Sequence, residues 1–394
     1  MTQPTGHNDK ELDICFTLDV TGSMGRYIHS ARDNIRMVMD RLQQTEGYNL
    51  RFGLVVYRDH PPQDMSFVSK AFAFTTDAQV METQLKGLHA NGGGDGPEAV
   101  EAGLLDTLNL EWRANSTKIC VLIADAPPHG LGEYGDGFAN GAPTNVDPLE
   151  VLDRMGAKGI SVYSLGVKNS LDAYRYAKGF YEAASKKTNG QALWLGDAKN
   201  LATVILGGAI EEVELDALKV ELVVKIQQLK VQHPTMSENE MAECAYRSLS
   251  ASAPPIRSLT SDPIRSAACP ALYEATSLEE AKKALADVVL DDAPPPMACG
   301  DTLRTLAAPC DEAEEPRFRS LSASCDESTG ARYRSLGASD SPPFKRPTCA
   351  YRGAGAAAPT VCEAPVAVEA AVPATLSKEQ FDRLFSKQKA LGAL

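Results

Sequence analysis

The stretch LDICFTLDVTGSMG, residues 12–25, begins as an apolar run, stops on Asp19, and continues with Thr21 and Ser23 at alternate positions in a loop turned by Gly22 and Gly25. Its first eight residues are rich in β-branched and aromatic side chains. Their apolar character is continuous rather than alternating, as expected of a strand covered on both faces. Three further runs have the same texture: LRFGLVVYRD (50–59), KICVLIAD (118–125) and GISVYSLGV (159–167). QALWLGD (191–197) reads as a fifth strand and KAFAF (70–74) as a short edge strand.

Helical spacing fills the gaps. Ile28, Ala31, Ile35, Val38 and Leu42 recur at three and four residues, which gives one apolar stripe to lay against a sheet. Similar patterns cover 77–88, 98–110, 148–157 and 171–187. Strands alternating with helices of this length predict an α/β, Rossmann-like fold: a mostly parallel central sheet with helices on both faces. In such sheets ligands sit at the carboxyl ends of the strands. The expected organisation is a disordered N-terminus (1–10), the α/β domain (11–210), an amphipathic helical extension (211–233) and a Pro/Ala/Ser-rich tail (234–394). The helical pattern behind the extension spans 207–233. Its stripe of Leu215, Leu218, Leu222, Ile226 and Leu229 would pack on the sheet or pair with another chain.

The tail boundary follows from composition: 16 of the 24 prolines lie after residue 233, while both tryptophans, Trp112 and Trp194, lie before it. The tail carries loose copies of an RSL motif at Tyr246, Ile256, Phe318 and Tyr333, with a fainter one at Leu303, at spacings too irregular for a solenoid. Arginine three residues before a hydroxyl makes Ser250, Thr260 and Ser322 candidate phosphosites. Capping boxes mark short helices at about 277–290 and 377–391. Such short helices order in water only by docking.

The first residues, MTQPTGHNDKELD, lack a basic start followed by an apolar core, and no run reaches the roughly 18 apolar residues of a membrane span, so a soluble, cytoplasmic protein is expected. Nine cysteines, scattered without a CxxC, suit reduced thiols better than a zinc site or a disulfide framework. A net charge of −13 disfavours nucleic acid and anionic membranes as partners and favours a cation or a basic surface.

Asp19 ends the first strand, where ligands bind, and Thr21 and Ser23 can aim two hydroxyls at the same point. Oxygen ligation of this kind suits a hard divalent cation, Mg²⁺ above all, with Mn²⁺ also accommodated. Asp125 ends the strand expected beside the first, and NGGGDGPEAV (91–100) brings Asp95 to the same edge ahead of a helix starting at Pro97. The metal set expected is therefore Asp19, Thr21, Ser23, Asp95 and Asp125, with Gly22, Gly94, Glu98 and His129 around it. Glu98 reads as a first-turn acid and His129 as a hydrogen-bonding loop residue. Arg58 and Asp59 read as braces at the end of the second strand.

This constellation resembles the von Willebrand factor type A domain, whose metal-ion-dependent adhesion site carries the motif DxSxS, here Asp19-x-Thr21-x-Ser23. The resemblance covers about residues 10–210. YRDHPPQD (57–64), GGGDGPEAV (92–100) and ADAPPHG (124–130) are similar to the intracellular A domains of the alpha-kinase VwkA group and its kinase-free relatives. It implies that Thr21 and Ser23 bind the metal directly and that Asp19 and Asp125 act directly or through water. A second-loop residue would join them, a threonine in many members and here Asp95 or Gly94. No kinase domain is legible after residue 210, so a non-enzymatic module is expected, one that recruits a protein partner whose acidic side chain completes the metal shell. Two alternatives compete. A Mg²⁺-dependent phosphotransferase or phosphatase of the haloacid dehalogenase type would need an acid where Thr21 stands. The other is a metal-stabilised scaffold that oligomerises through 207–233.

Overall fold

The structure, a computed structural model, describes residues 10–43, 48–195, 201–257, 263–290 and 373–394. Six strands form one sheet: β1 (Lys10–Asp19), β2 (Tyr48–Tyr57), β3 (Ser69–Thr75), β4 (Thr117–Ala124), β5 (Ile160–Val167) and β6 (Ala192–Leu195), in the order β3-β2-β1-β4-β5-β6. All pairs are parallel except β2–β3, so KAFAF lies on the antiparallel edge.

Side chains of each strand alternate between two cores. Leu12, Ile14, Phe16 and Leu18 of β1 join Ile119, Val121 and Ile123 of β4 on one face, under α1 (Gly25–Gln43) and α2 (Ala78–Lys86). On the other face Cys120, Leu122 and Ala124 meet α3 (Val100–Asn109), α4 (Pro148–Ala157) and α6 (Ala177–Lys187). Two buried apolar layers account for the near-continuous hydrophobic runs of β1, β4 and β5. The chain passes from β1 outward to β2 and β3, then returns to place β4 on the other side of β1. The crevice beyond the carboxyl ends of β1 and β4 is the point where strand order reverses. The register sets Leu18 beside Ile123 and Asp19 beside Tyr57, so the residues leaving these strands emerge at one level.

Several helices differ from the sequence pattern. The pattern over 171–187 divides into α5 (Lys168–Leu171) and α6, because the Glu133 carboxylate accepts the backbone N–H groups of Arg175 and Tyr176 at 2.8 and 2.6 Å. A cap supplied by a distant loop is invisible to periodicity. The stretch 207–233 is likewise two helices, α7 (Leu201–Ala217) and α8 (Lys219–Gln232), broken at Leu218. Ala209 and Val213 of α7 cover the sheet, whereas Leu222, Ile226 and Leu229 of α8 leave it.

The leucine stripe does not pack on the sheet. It is buried against Ala245 and Leu249 of α9 (Glu238–Ser252) and Phe381 and Leu384 of α12 (Lys378–Ala390). Compact structure thus runs past residue 233. Short strands β7 (Ile256–Arg257) and β8 (Pro373–Ala374) pair, and α10 (Cys269–Glu274) and α11 (Leu278–Leu285) pack on α6 and its neighbours. Composition hid this because each of these helices is short and buries only a narrow apolar face, which a proline-rich average obscures. One capping box is complete, Ser377 pairing reciprocally with Gln380; at the other, Ser277 accepts Glu280 N–H, but the Glu280 carboxylate accepts the N–H and hydroxyl of Thr276 instead. The first RSL copy falls in α9, with Ser250 half-buried inside a helix, and of the second only Ile256 and Arg257, in β7, are among the described residues. Thr260, Ser322 and the copies at 303, 318 and 333 lie outside the described residues, as do residues 1–9. Among the described residues no helix is long and apolar enough to cross a membrane, and Cys15, Cys120, Cys244 and Cys269 are free thiols.

Candidate metal centre

Leaving β1, the backbone turns back on itself so that the Asp19 Oδ1 accepts both the N–H and the hydroxyl of Thr21, at 2.8 and 2.6 Å. The Thr21 hydroxyl lies 3.1 Å from that of Ser23, which donates to Asp125 Oδ1 at 3.0 Å. A continuous chain Asp19–Thr21–Ser23–Asp125 therefore joins the ends of β1 and β4. A short 3-10 turn follows at Gly22–Met24, and Asp19 does not cap it. Asp19, Thr21 and Asp125 are buried, while Ser23 and Gly22 reach solvent. The second loop is tied on by Gly22 N–H donating to Gly92 O at 3.1 Å. Gly93, at φ +81°, passes so close that a Cβ there would sit 2.6 Å from Glu98 Oε1. A glycine is needed both for the left-handed backbone and for the space.

Two expectations for this loop change. The helix begins at Val100 rather than Pro97, and Glu98 is not a first-turn acid. Its N–H donates to Pro127 O at 2.9 Å, pairing the loop with the segment after β4 and burying the carboxylate to 4 % exposure. Asp95 is not in the hydrogen-bonded chain. Its Oδ2 accepts Gly137 N–H at 2.5 Å, and it shares a cluster with Asp59 and His129, one ligand atom of each lying within 4.8 Å of the others. Gly94 is exposed and closes on Gln63, without a part in the chain.

His129 lies between two carboxylates, with Nδ1 2.8 Å from Asp136 and Nε2 2.7 Å from Asp59. Burial opposes its charge, yet hydrogen bonds to Asp136 and Asp59 push its pKa up to about 10, so it is an imidazolium. His60 instead meets Glu101 at 2.6 Å. Asp59 is a member of the acidic edge rather than a simple brace: its Oδ1 accepts His60 N–H and faces His129, and its side chain is fully buried. Asp59 and Asp136 were the residues missed, while Glu98 was expected around the site but as a first-turn acid. The available signal for Asp59 was its place just beyond a strand end, the same position that singled out Asp19.

The electrostatics are those of crowded anions. Burial, reinforced by the Asp125 charge, raises the Asp19 pKa to about 8. Burial raises Asp125 to about 6 against the pull of the Ser23 hydroxyl. Glu98 is pushed well up, first by burial and then by Asp19. Burial also lifts Asp95 to about 6. Buried polar atoms are ordinarily hydrogen-bonded, yet Asp19 Oδ2, Asp59 Oδ2, Asp95 Oδ1 and Glu98 Oε2 have no partner. Buried oxygens of one sign with two hydroxyls beside them fit a hard cation. The haloacid dehalogenase alternative finds no support, since Thr21 donates to Asp19 where that chemistry needs a second acid.

Comparison with known proteins finds a match to one family model and several partial likenesses. Residues 13–132 match the family model of the von Willebrand factor A domain. The chain is similar to an ariadne-like RING finger protein, R811, of Acanthamoeba polyphaga mimivirus, 27% identical over 194 residues covering 48% of this chain and 18% of that protein. It is also similar to alpha-protein kinase vwkA of Dictyostelium discoideum, 30% identical over 156 residues covering 39% of this chain and 24% of the kinase. The match thus spans less than a quarter of either relative. Among solved structures, a von Willebrand factor type A protein from Catenulispora acidiphila aligns at TM-score 0.36 and 15% identity, covering 52% of this chain and 43% of that one. The pilus adhesin SpaC of Lactobacillus rhamnosus GG in its open conformation aligns at 0.40 and 14%, covering 52% and 30%.

Proposed function

We propose that this chain, which carries a von Willebrand factor A domain, is a cation-dependent protein-binding module. Domains of this family generally serve as non-enzymatic interaction modules and often bind a divalent metal. The observation that carries the reading is the Asp19–Thr21–Ser23–Asp125 chain, with Asp19 Oδ2 buried and unpartnered at its end. Thr21 and Ser23 would hold a Mg²⁺-type cation through their hydroxyls, Asp19 and Asp125 through carboxylates, with Glu98 and Asp95 adding negative charge from the second loop. Mn²⁺ would serve equally, since both ions favour oxygen. When bound, the ion supplies positive charge at the sheet edge and open positions for an acceptor oxygen.

The chain's own residues do the rest. The hydrogen bonds from Thr21 hold Asp19 Oδ1 in place, so that only Oδ2 is left to face the ion. Ser23, exposed, stands at the mouth where a partner's acidic side chain would arrive. Kinase activity is not part of this reading, and a cytoplasmic location suits the free buried thiols Cys15, Cys120 and Cys269. The tail would regulate through its RSL copies. Phosphate at Ser250, for example, would add charge inside α9, beside the packed Leu249. Self-association through 207–233 would have to use Val220, Val224 and Val231, which are exposed.

The test is calorimetric titration of Mg²⁺ and Mn²⁺ into the full chain and its Asp19→Ala and Ser23→Ala variants, followed by partner capture in Mg²⁺ and in chelator. Mg²⁺ binding lost in Asp19→Ala, with capture lost in chelator, is the expected outcome. Unchanged cation affinity and unchanged capture in both variants would sink the reading.

A further inference from the structure

We propose that Asp59, Asp95 and His129 form a second cation site, separate in its donors from the Asp19 site and suited to a transition ion of the Zn²⁺ or Mn²⁺ class. Three loops build it. Asp59 follows β2, Asp95 lies in the glycine loop before α3, and His129 follows β4. One ligand atom from each lies within 4.8 Å of the others. Proximity of acids alone would prove little, but Asp59 is fully buried and its Oδ2 has no hydrogen-bond partner, and Asp95 Oδ1 is in the same condition. Two carboxylates brought this close, each with an unused oxygen, are donors that one cation would share.

The histidine is oriented as a ligand would be. Asp136 Oδ1 sits 2.8 Å from His129 Nδ1 and accepts Phe138 N–H, while Asp136 Oδ2 accepts Gly130 N–H at 2.7 Å. A carboxylate fixed by the backbone and bonded to one ring nitrogen sets the other nitrogen on the metal side. The Phe138 ring packs edge-on at 4.8 Å and prevents the imidazole from turning. Nε2 then faces Asp59 Oδ1 across 2.7 Å. Binding would exchange that hydrogen bond for two ligand bonds, nitrogen and carboxylate to the same ion, with the Nε2 proton released to solvent. A donor set of one imidazole and two carboxylates discriminates against Mg²⁺, which takes oxygen, and leaves further positions for water or a partner group.

The experiment is metal binding by the full-length chain, with Zn²⁺ measured by equilibrium dialysis and Mn²⁺ followed by pulsed electron paramagnetic resonance. Wild type should show nitrogen coupling to bound Mn²⁺. His129→Gln and Asp59→Asn should each remove that coupling and weaken Zn²⁺ binding by more than tenfold, and Asp136→Asn should weaken it by about 10–100-fold. Asp19→Ala should leave the Zn²⁺ site intact, so this inference and the Mg²⁺ reading stand or fall separately. The wild-type spectrum needs no variant to fold. Absence of nitrogen coupling there, or Zn²⁺ binding indifferent to His129→Gln, overturns the proposal and leaves His129 as a buried counter-charge.

Discussion

Two regions of this molecule bury carboxylates, and they treat them in opposite ways. At α7, Glu212 is met by Lys387 at 2.5 Å, Arg383 at 2.9 Å and Ser161 at 2.8 Å, and Arg383 also reaches Glu211 at 3.0 Å. At the carboxyl edge of the sheet, Asp19 is met only by Thr21 through one oxygen, and the nearest charges are other acids. Both side chains are desolvated. Glu212 nevertheless has its pKa held down to about 2 by Lys387 and Arg383, which outweigh burial, while Asp19 is raised to about 8 by burial and Asp125. Where the chain supplies its own cations, burial is structural. Where it does not, the buried acids carry the proposal made above, that the edge takes its cation from outside.

The largest test of this contrast is removal of the internal cations. Replacing both Arg383 and Lys387 by methionine removes both basic partners of Glu212 and takes Arg383 from Glu211, and stability in denaturant should fall by about 3–5 kcal/mol, or α12 should undock and lose amide protection. A loss below about 1 kcal/mol with α12 still protected would mean that the network is not what holds the helix.

The next test is a difference in sign. Glu212 has a folded pKa of about 2 against an ordinary 4.5, so its stabilisation is present above 4.5 and is lost as pH falls through about 2. Asp19 has a folded pKa of about 8 against 3.8, so in metal-free protein its contribution is present below 3.8 and is lost as pH rises through about 8. In chelator, Asp19→Asn should therefore be more stable than wild type at pH 8, and Glu212→Gln less stable than wild type at pH 6. Melting curves across this range would decide it; equal shifts of both variants in one direction would erase the contrast.

On the proposed reading, adding a divalent cation should narrow the gap between the regions. Mg²⁺ at a hundred times its dissociation constant should stabilise wild type by about 2.7 kcal/mol and leave Asp19→Ala unmoved, as read by melting temperature. The smallest effect is expected at Gly93→Ala, which forces a left-handed backbone onto a Cβ that meets Glu98, at about 1–3 kcal/mol. Its cation affinity should fall with it. A variant as stable and as tight as wild type would show that the glycine loop can move away from Glu98.

Much of this was legible in the chain. Strand runs, helical stripes and the DxTxS spacing depend on neighbours a few residues apart, and local patterns survive in any packing. They predicted the six strands, the helices α1 to α4, and Asp19, Thr21, Ser23 and Asp125 at one edge of the sheet as metal ligands; the hydrogen bonds that link these four side chains came only with the fold. The order of the central strands was also within reach, since right-handed crossovers put β4 beside β1. Other features were not legible, because each depends on contacts between distant segments. Glu133 capping α6 crosses some forty positions, Arg383 reaching Glu211 crosses a far longer gap, and neither has a periodicity to announce it. Composition read the region after 233 as tail, although α9 and α12 close over the leucines of α8.

The division is sharpest at the acids. Sequence alone could say that Asp19 and Asp125 stand at strand ends and that the glycine loop brings Asp95 to the same edge. Which of them share a ligand, and which side chains are left with an unpartnered oxygen, was decided only by the fold. Loop backbones carried Asp95 to Gly137 and His129, and turned Glu98 inward beside Gly93. A strand's composition fixes where a side chain leaves the sheet. The direction it then takes is set by backbone hydrogen bonds to loops that sequence proximity does not reveal.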